Sequence, residues 1–115
     1  MNDEPKFDVI YLEEAGIFID SLSEKAREKV FYNIDKSRYV IDKELFKKLD
    51  GEIWEFRTIF NDICYRLFAF WDKRQKKVVI TTHGIVKKTD KTPSKEIAKA
   101  EALRKEYMNI KYGEI

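Results

Sequence analysis

Cysteine occurs once in the 115 residues, as Cys64, so no bridge can form within the chain and a disulfide scaffold is excluded. Histidine also occurs once, as His83, and a single Cys and a single His supply too few donors for the usual zinc sites. No metal or other cofactor is expected. Glycine (4) and proline (2) are scarce, which excludes collagen-like and linker sequences. No apolar run approaches the roughly 18–20 residues of a membrane span. The opening Met1-Asn2-Asp3-Glu4-Pro5 is acidic and polar, unlike a secretory signal. The expectation is a cytoplasmic domain with no membrane partner.

What the chain has is aromatic and charged. Its 8 Phe, 6 Tyr and 2 Trp are spread along the sequence, which excludes a disordered chain. The length suits one domain covering residues 1–115. The net charge of +2 conceals an uneven layout: residues 1–22 carry −5, residues 23–72 carry 0 and residues 73–115 carry +7. The last third is the part suited to face an anion.

The hydrophobic pattern predicts a short strand at Phe7–Tyr11 and a helix over Glu13–Leu22, with Ala15, Phe18, Ile19 and Leu22 on one side. Ser23 suits the N-cap of a second helix over residues 24–40, whose stripe is Ala26, Val30, Ile34 and Ile41. The two helices are expected to form a hairpin. Glu52–Phe60 and Ile63–Trp71 read as strands joined by Asn61-Asp62, residues that tolerate a left-handed backbone. Lys77–Val86 is a third run of that kind. Thr92-Pro93 then reads as an N-cap and first helical residue, followed by a stripe of Ile97, Ala100, Leu103, Tyr107 and Ile110. The order β-α-α-β-β-β-α predicts an α+β fold with helices packed on an antiparallel sheet.

The Asn61-Asp62 turn sets a register in which Phe60 faces Ile63 and Arg57 faces Arg66. Alternation then puts Arg57, Arg66, Glu55, Phe68 and Cys64 on one face, and Trp54, Phe56, Leu67 and Ala69 on the core face. Like charges directly opposite are destabilising. An anion between the arginines removes the conflict, and that anion is either Glu55 or a bound phosphate, which the planar guanidinium suits well. His83 is the one side chain that ordinarily titrates near neutrality, and reads either as an acid, a base or a stacking ring, or as a structural histidine. Gly84 marks a close approach or a bulge. Lys87, Lys88 and Lys91 form a basic cluster, either solvated or an anion site; Lys87 shares parity with His83 and is preferred over Lys88 for the Arg face. Lys47 and Lys48 precede the first hairpin strand, where a solvated turn competes with a phosphate contact.

These residues resemble a known family. Leu45-Phe46-Lys47-Lys48-Leu49-Asp50-Gly51-Glu52-Ile53-Trp54-Glu55-Phe56-Arg57, then Tyr65-Arg66-Leu67-Phe68-Ala69-Phe70, His83-Gly84-Ile85-Val86-Lys87-Lys88 and Lys91-Thr92-Pro93 with Glu96-Ile97-Ala98 are similar to successive stretches of HigB-like toxins, in the phage-derived branch of the RelE/ParE superfamily. The resemblance covers roughly residues 7–108. Phe56, Ala69 and Ile85 depart from it, all at packing positions. It implies two N-terminal helices and a C-terminal helix around a twisted antiparallel sheet, with the first strand at an edge. It further implies the toxin of a type II toxin–antitoxin pair, a metal-independent, ribosome-dependent mRNA endoribonuclease that inhibits translation. The implied partners are mRNA on the ribosome and a cognate helix-turn-helix, HigA-like antitoxin. Under that reading Arg57, Arg66, His83, Lys87 and Lys88 form the catalytic set, and Lys47, Lys48 and Lys91 bind RNA. Two alternatives stay open: a ParE-like inhibitor of DNA gyrase without nuclease activity, and a degenerate member that only binds its antitoxin.

Overall fold

The computed structural model describes residues 4–87 and 93–113. Its elements run β1 (Asp8–Tyr11), α1 (Glu13–Asp20), α2 (Glu24–Ser37), β2 (Phe46–Asp50), β3 (Ile53–Phe60), β4 (Ile63–Trp71), β5 (Val78–Lys87) and α3 (Ser94–Tyr112). The fold is α+β. The strands form one sheet in the order β1-β5-β4-β3-β2, with β1 at an edge.

Two features of the sheet differ from the sequence-based expectation. β2 is an additional strand, antiparallel to β3, with Phe46 opposite Phe56 and a register shift after Lys48. Its five residues, Phe-Lys-Lys-Leu-Asp, are too few and too charged to show a clean alternation. The sheet is also mixed, since β1 pairs with β5 in parallel. Parallel partners need a long connection, and the 66 residues between Tyr11 and Val78 supply one.

The β3–β4 turn is as expected. Asn61 and Asp62 both have positive φ, 52° and 63°, which matches the twist of the flanking strands. This fixes Arg57 opposite Arg66 and Phe60 opposite Ile63.

One face of the sheet carries α1 and α2. Ala15, Ile19, Ala26, Val30 and Ile34 bury against Phe56, Leu67, Ala69 and Val79. The helices are joined by a short link in which Arg27 donates to the carbonyls of Ile19, Asp20 and Leu22, satisfying groups left open at the end of α1. Ser23 caps α2 by accepting from the Ala26 amide at 3.2 Å. The ring of Phe18 lies on Gly84, where a Cβ would run into it, so the close approach read from that glycine is made by α1.

α2 stops at Ser37, whose hydroxyl donates to the Ile34 carbonyl. Ile41, expected on the buried stripe of this helix, therefore falls outside it and is 85% exposed.

The other face carries α3. Ala100, with Ile97 and Tyr107, covers Ile53, Phe68, Phe70, Val78 and Ile80. Burying each of these large side chains contributes about 1.5–3 kcal/mol. Pro93 is the N-cap of α3 rather than its first residue; the Thr92 assignment lies outside the described residues. Ile110, expected on the buried side of this helix, is exposed in its last turns. Among the described residues no helix is long and apolar enough to cross a membrane.

Candidate functional site

The Arg57–Arg66 pair lies on the α3 face of the sheet, toward the Asn61-Asp62 turn. A bulge makes this face continuous. The β4–β5 register shifts between Phe68 and Ala69, so Phe68 faces His83 while Ala69 faces Thr81. The extra residue on β5, Thr82, turns its hydroxyl to the Phe68 carbonyl. Beyond the bulge, Ile85 faces Arg66 and Lys87 faces Cys64. Lys87 thus shares the Arg face, as the parity argument expected. Lys47 faces Glu55 across β2 and β3 and joins it there, whereas Lys48 faces Trp54 on the opposite side. The face therefore assembles Lys47, Arg57, Arg66 and Lys87, with Cys64 among them. Lys88 and Lys91 lie outside the described residues.

The anion between the arginines is Glu55. Its side chain is fully buried, and Arg66 donates to it from Nη1 at 3.0 Å. Arg57 approaches the same carboxylate at 3.8 Å and Glu44 at 3.9 Å. A charge-assisted bond in a buried setting is the strong kind. It also resolves the like-charge conflict that opposed arginines create. Arg66 is 1% exposed and is part of the interior in this conformation. Arg57 lies closer to the rim, with 13% of its side chain exposed.

His83 is buried as well. It is 3% exposed, and its ring stacks on Phe68 with centroids 4.9 Å apart. Nδ1 lies 2.9 Å from the Thr82 hydroxyl and Nε2 lies 3.1 Å from Glu96 Oε1. Both ring nitrogens are engaged within the fold. Burial holds the imidazole pKa below its ordinary value, against the opposing pull of the Glu96 hydrogen bond. The residue fastens the first turn of α3 to β5, which is the structural reading of a lone histidine.

A second polar centre was not legible in the sequence. Asp72, 1% exposed at the end of β4, accepts from Tyr107 at 2.7 Å, Tyr112 at 2.8 Å and Gln75 at 2.8 Å. Burial pushes its carboxyl up, but these hydrogen bonds outweigh it and hold the pKa below the usual range. Tyr107 is thus more than a packing residue. Helix α3 is fastened at both ends, by His83–Glu96 near its start and by Asp72 near its finish. Among the described residues no cluster of His, Cys, Asp and Glu is arranged to hold a metal ion.

Comparisons with known proteins agree with this architecture. The family described as Phage derived protein Gp49-like (DUF891) matches residues 17–105. No curated protein matches the chain. Among solved structures, a chain of the toxin-antitoxin complex RelBE2 from Mycobacterium tuberculosis is similar at a TM-score of 0.57 and 14% identity, covering 76% of this chain and 100% of that one. A chain of the archaeal RelE-RelB complex from Pyrococcus horikoshii OT3 aligns at a TM-score of 0.47 and 14% identity, covering 69% and 92%. The fold is RelE-like, and with the match extending over most of its length the chain belongs to the Gp49-like family of phage-derived proteins.

Proposed function

We propose that this protein is the toxin of a toxin–antitoxin pair, of the HigB-like type, and that it cleaves mRNA on the ribosome without a metal. The observation that carries the reading is the cationic half of the α3 face, where Lys47, Arg57 and Lys87 surround the buried Glu55–Arg66 pair. RNA cleavage by this route uses the 2′-hydroxyl as nucleophile, and needs charge stabilisation at the crowded phosphate and a proton for the leaving 5′-oxygen. Arg57 and Lys87 are assigned to the phosphate and Lys47 to the flanking backbone. Arg66 acts through Glu55 as a positioning residue, since a bound carboxylate fixes where Arg57 sits. Lys88 and Lys91 remain proposed members of the same basic group. The similar structure from a toxin-antitoxin complex supports a protein antitoxin as partner; a helix-turn-helix, HigA-like protein is the proposed type. Action on ribosomes would take place in the cytoplasm.

A second reading has its own support. Arg66 and His83 are both buried and occupied by internal partners, which leaves less of the expected catalytic set exposed. That favours a non-nuclease member, either one that inhibits DNA gyrase or one that only binds its antitoxin.

Induction of the chain alone, with mapping of mRNA 5′ ends, separates these. The nuclease reading expects cuts phased with codons that fall at least tenfold in Arg57→Ala and in Lys87→Ala. Growth arrest with a DNA-damage response and intact transcripts would instead indicate gyrase. No effect on growth, with antitoxin binding retained, would leave only the binding role.

A further inference from the structure

Ile59 stands among the cations of the proposed site. It shares its parity on β3 with Glu55 and Arg57, so its side chain leaves the sheet on their face, and it is 60% exposed. Opposite it is Cys64, and opposite Cys64 is Lys87, so the three form one row across β3, β4 and β5. The amide of Arg57 points away from β4 and donates to the Leu45 carbonyl at 2.8 Å. Arg57–Arg66 and Ile59–Cys64 are therefore non-hydrogen-bonded pairs, the kind whose Cα atoms stand about 4.5 Å apart and whose side chains lie closest. Ile59 and the half-buried Cys64 thus make one apolar shelf, two side chains wide. Strand geometry puts Arg57 about 7 Å from Ile59 along β3 and Lys87 about 10 Å away across two strands.

Among the described residues, the other large exposed apolar side chains lie on helices, on the α2–β2 link, on the edge strand β1 or, for Val86, on the opposite face of the sheet. Ile59 is the one set in the cationic half. The charge around it is net positive: Lys47, Arg57 and Lys87 stand against Glu44, 3.9 Å from Arg57, and Asp62 in the turn. Lys43, next to Glu44, adds a further exposed cation, and the buried Glu55–Arg66 pair is neutral as a unit. An apolar spot between cations fits a chain that alternates a flat apolar group with a negative charge. Single-stranded RNA is such a chain, with one base and one phosphate per unit. In an unpaired strand the base is free to turn out and lie on a side chain.

We propose that Ile59 and Cys64 are the seat of one unpaired RNA base, beside the phosphate assigned to Arg57 and Lys87. This rests on the reading of the face as an RNA site, and it adds what sets the strand's register there. A base held on the shelf determines which phosphate reaches Arg57.

Cys64 is the only cysteine in the chain, so alkylation of its thiol by a neutral reagent reports on the shelf alone. The test measures that rate in the purified full chain at low salt, with two dye-labelled oligomers of equal length and charge. One is an unstructured RNA methylated at its 2′ oxygens, which removes the nucleophile; the other is its abasic counterpart. Binding of each is followed by anisotropy of the dye. The base-bearing oligomer should slow alkylation about fivefold or more, and the abasic one less than about twofold. Ile59→Ser should weaken binding of the base-bearing oligomer about fivefold and leave abasic binding unchanged, while Ile59→Phe should retain it. Arg57→Ala should weaken both oligomers alike. Ile17→Ser, at an exposed site on α1, should change neither. Equal protection by the two oligomers, protection by neither, or unchanged binding in Ile59→Ser would overturn the proposal. So would protection that appears only on adding a co-expressed antitoxin, which would give the shelf to that protein. Mapping of mRNA 5′ ends keeps the two readings apart. Intact transcripts together with base-dependent protection of Cys64 would count against cleavage and for the base seat. Cuts unchanged in position and rate in Ile59→Ser would count for cleavage and against the seat.

Discussion

The sheet face beneath α3 has two halves built from the same strands. Toward the far end of β4 it offers Ile53, Phe68, Phe70, Val78 and Ile80, all buried under the helix. Toward the Asn61-Asp62 turn it offers Glu55, Arg57, Arg66 and Lys87, with Ile59 60% exposed. The inward direction of the side chains is the same in both halves, but their chemistry is not. The apolar half repays a covering helix by burial. The charged half has Glu55 and Arg66 buried as well, and it is stable because one buried carboxylate is shared by arginines from neighbouring strands. His83, bonded to Glu96 of α3, lies between the two halves on β5.

The comparison breaks most visibly at the buried positions. Phe70→Ala, at a fully buried ring, is expected to cost about 3–5 kcal/mol in denaturant unfolding. Glu55→Ala should cost a similar amount, about 3–5 kcal/mol, because it strips a buried guanidinium of its carboxylate. A loss below about 1 kcal/mol for Glu55→Ala would show that water solvates the arginines, making the charged half an ordinary surface.

The fastening of α3 comes next. Asp72→Ala removes the shared acceptor of Tyr107, Tyr112 and Gln75 and is expected to cost about 1–3 kcal/mol. Amide exchange should rise first in the last turns of α3; exchange rising uniformly would show that Asp72 holds the whole core rather than the helix end.

The other fastening titrates. His83 in the fold has a pKa below its ordinary value of 6.5, so the unfolded chain takes up the proton first as pH falls. Its contribution is complete above about pH 6.5 and declines as pH drops through the lowered folded value. Urea midpoints should therefore fall between about pH 7.5 and pH 5.5, and His83→Gln should flatten that decline. An unchanged slope in the variant would assign the pH dependence to other groups.

The smallest stability effect is expected at the rim. Lys87→Ala should stay within about 0.5 kcal/mol, while lowering RNA cleavage under the proposed function. A large stability loss there would extend the interior to the end of β5.

Much of this was legible without the fold. The Asn61-Asp62 turn fixed the β3–β4 register, and through it the Arg57–Arg66 opposition and the side of Cys64. The two-residue period assigned the core face, and the parity of Lys87 with His83 put Lys87 on the Arg face. β2 escaped because five residues with two lysines carry no clear period. The exposure of Ile41 escaped because a periodic stripe does not reveal that the helix stops at Ser37. The Asp72 centre escaped because its tyrosine partners lie 35 and 40 residues away in the chain.

The sequence by itself determined the order of the main elements, the hairpin register and which residues share a face, since these follow from local periodicity and turn chemistry. Tertiary structure decided which of those residues are reachable. Arg66 and Glu55, Arg57 and His83 differ little in local pattern, yet packing buries Arg66, Glu55 and His83 and leaves Arg57 nearer the rim. It also placed the Glu55 carboxylate between the arginines, 3.0 Å from Arg66 and 3.8 Å from Arg57. Burial is set by what lies above a residue, and the position of α3 above the sheet is written in contacts between distant segments, not in any one of them.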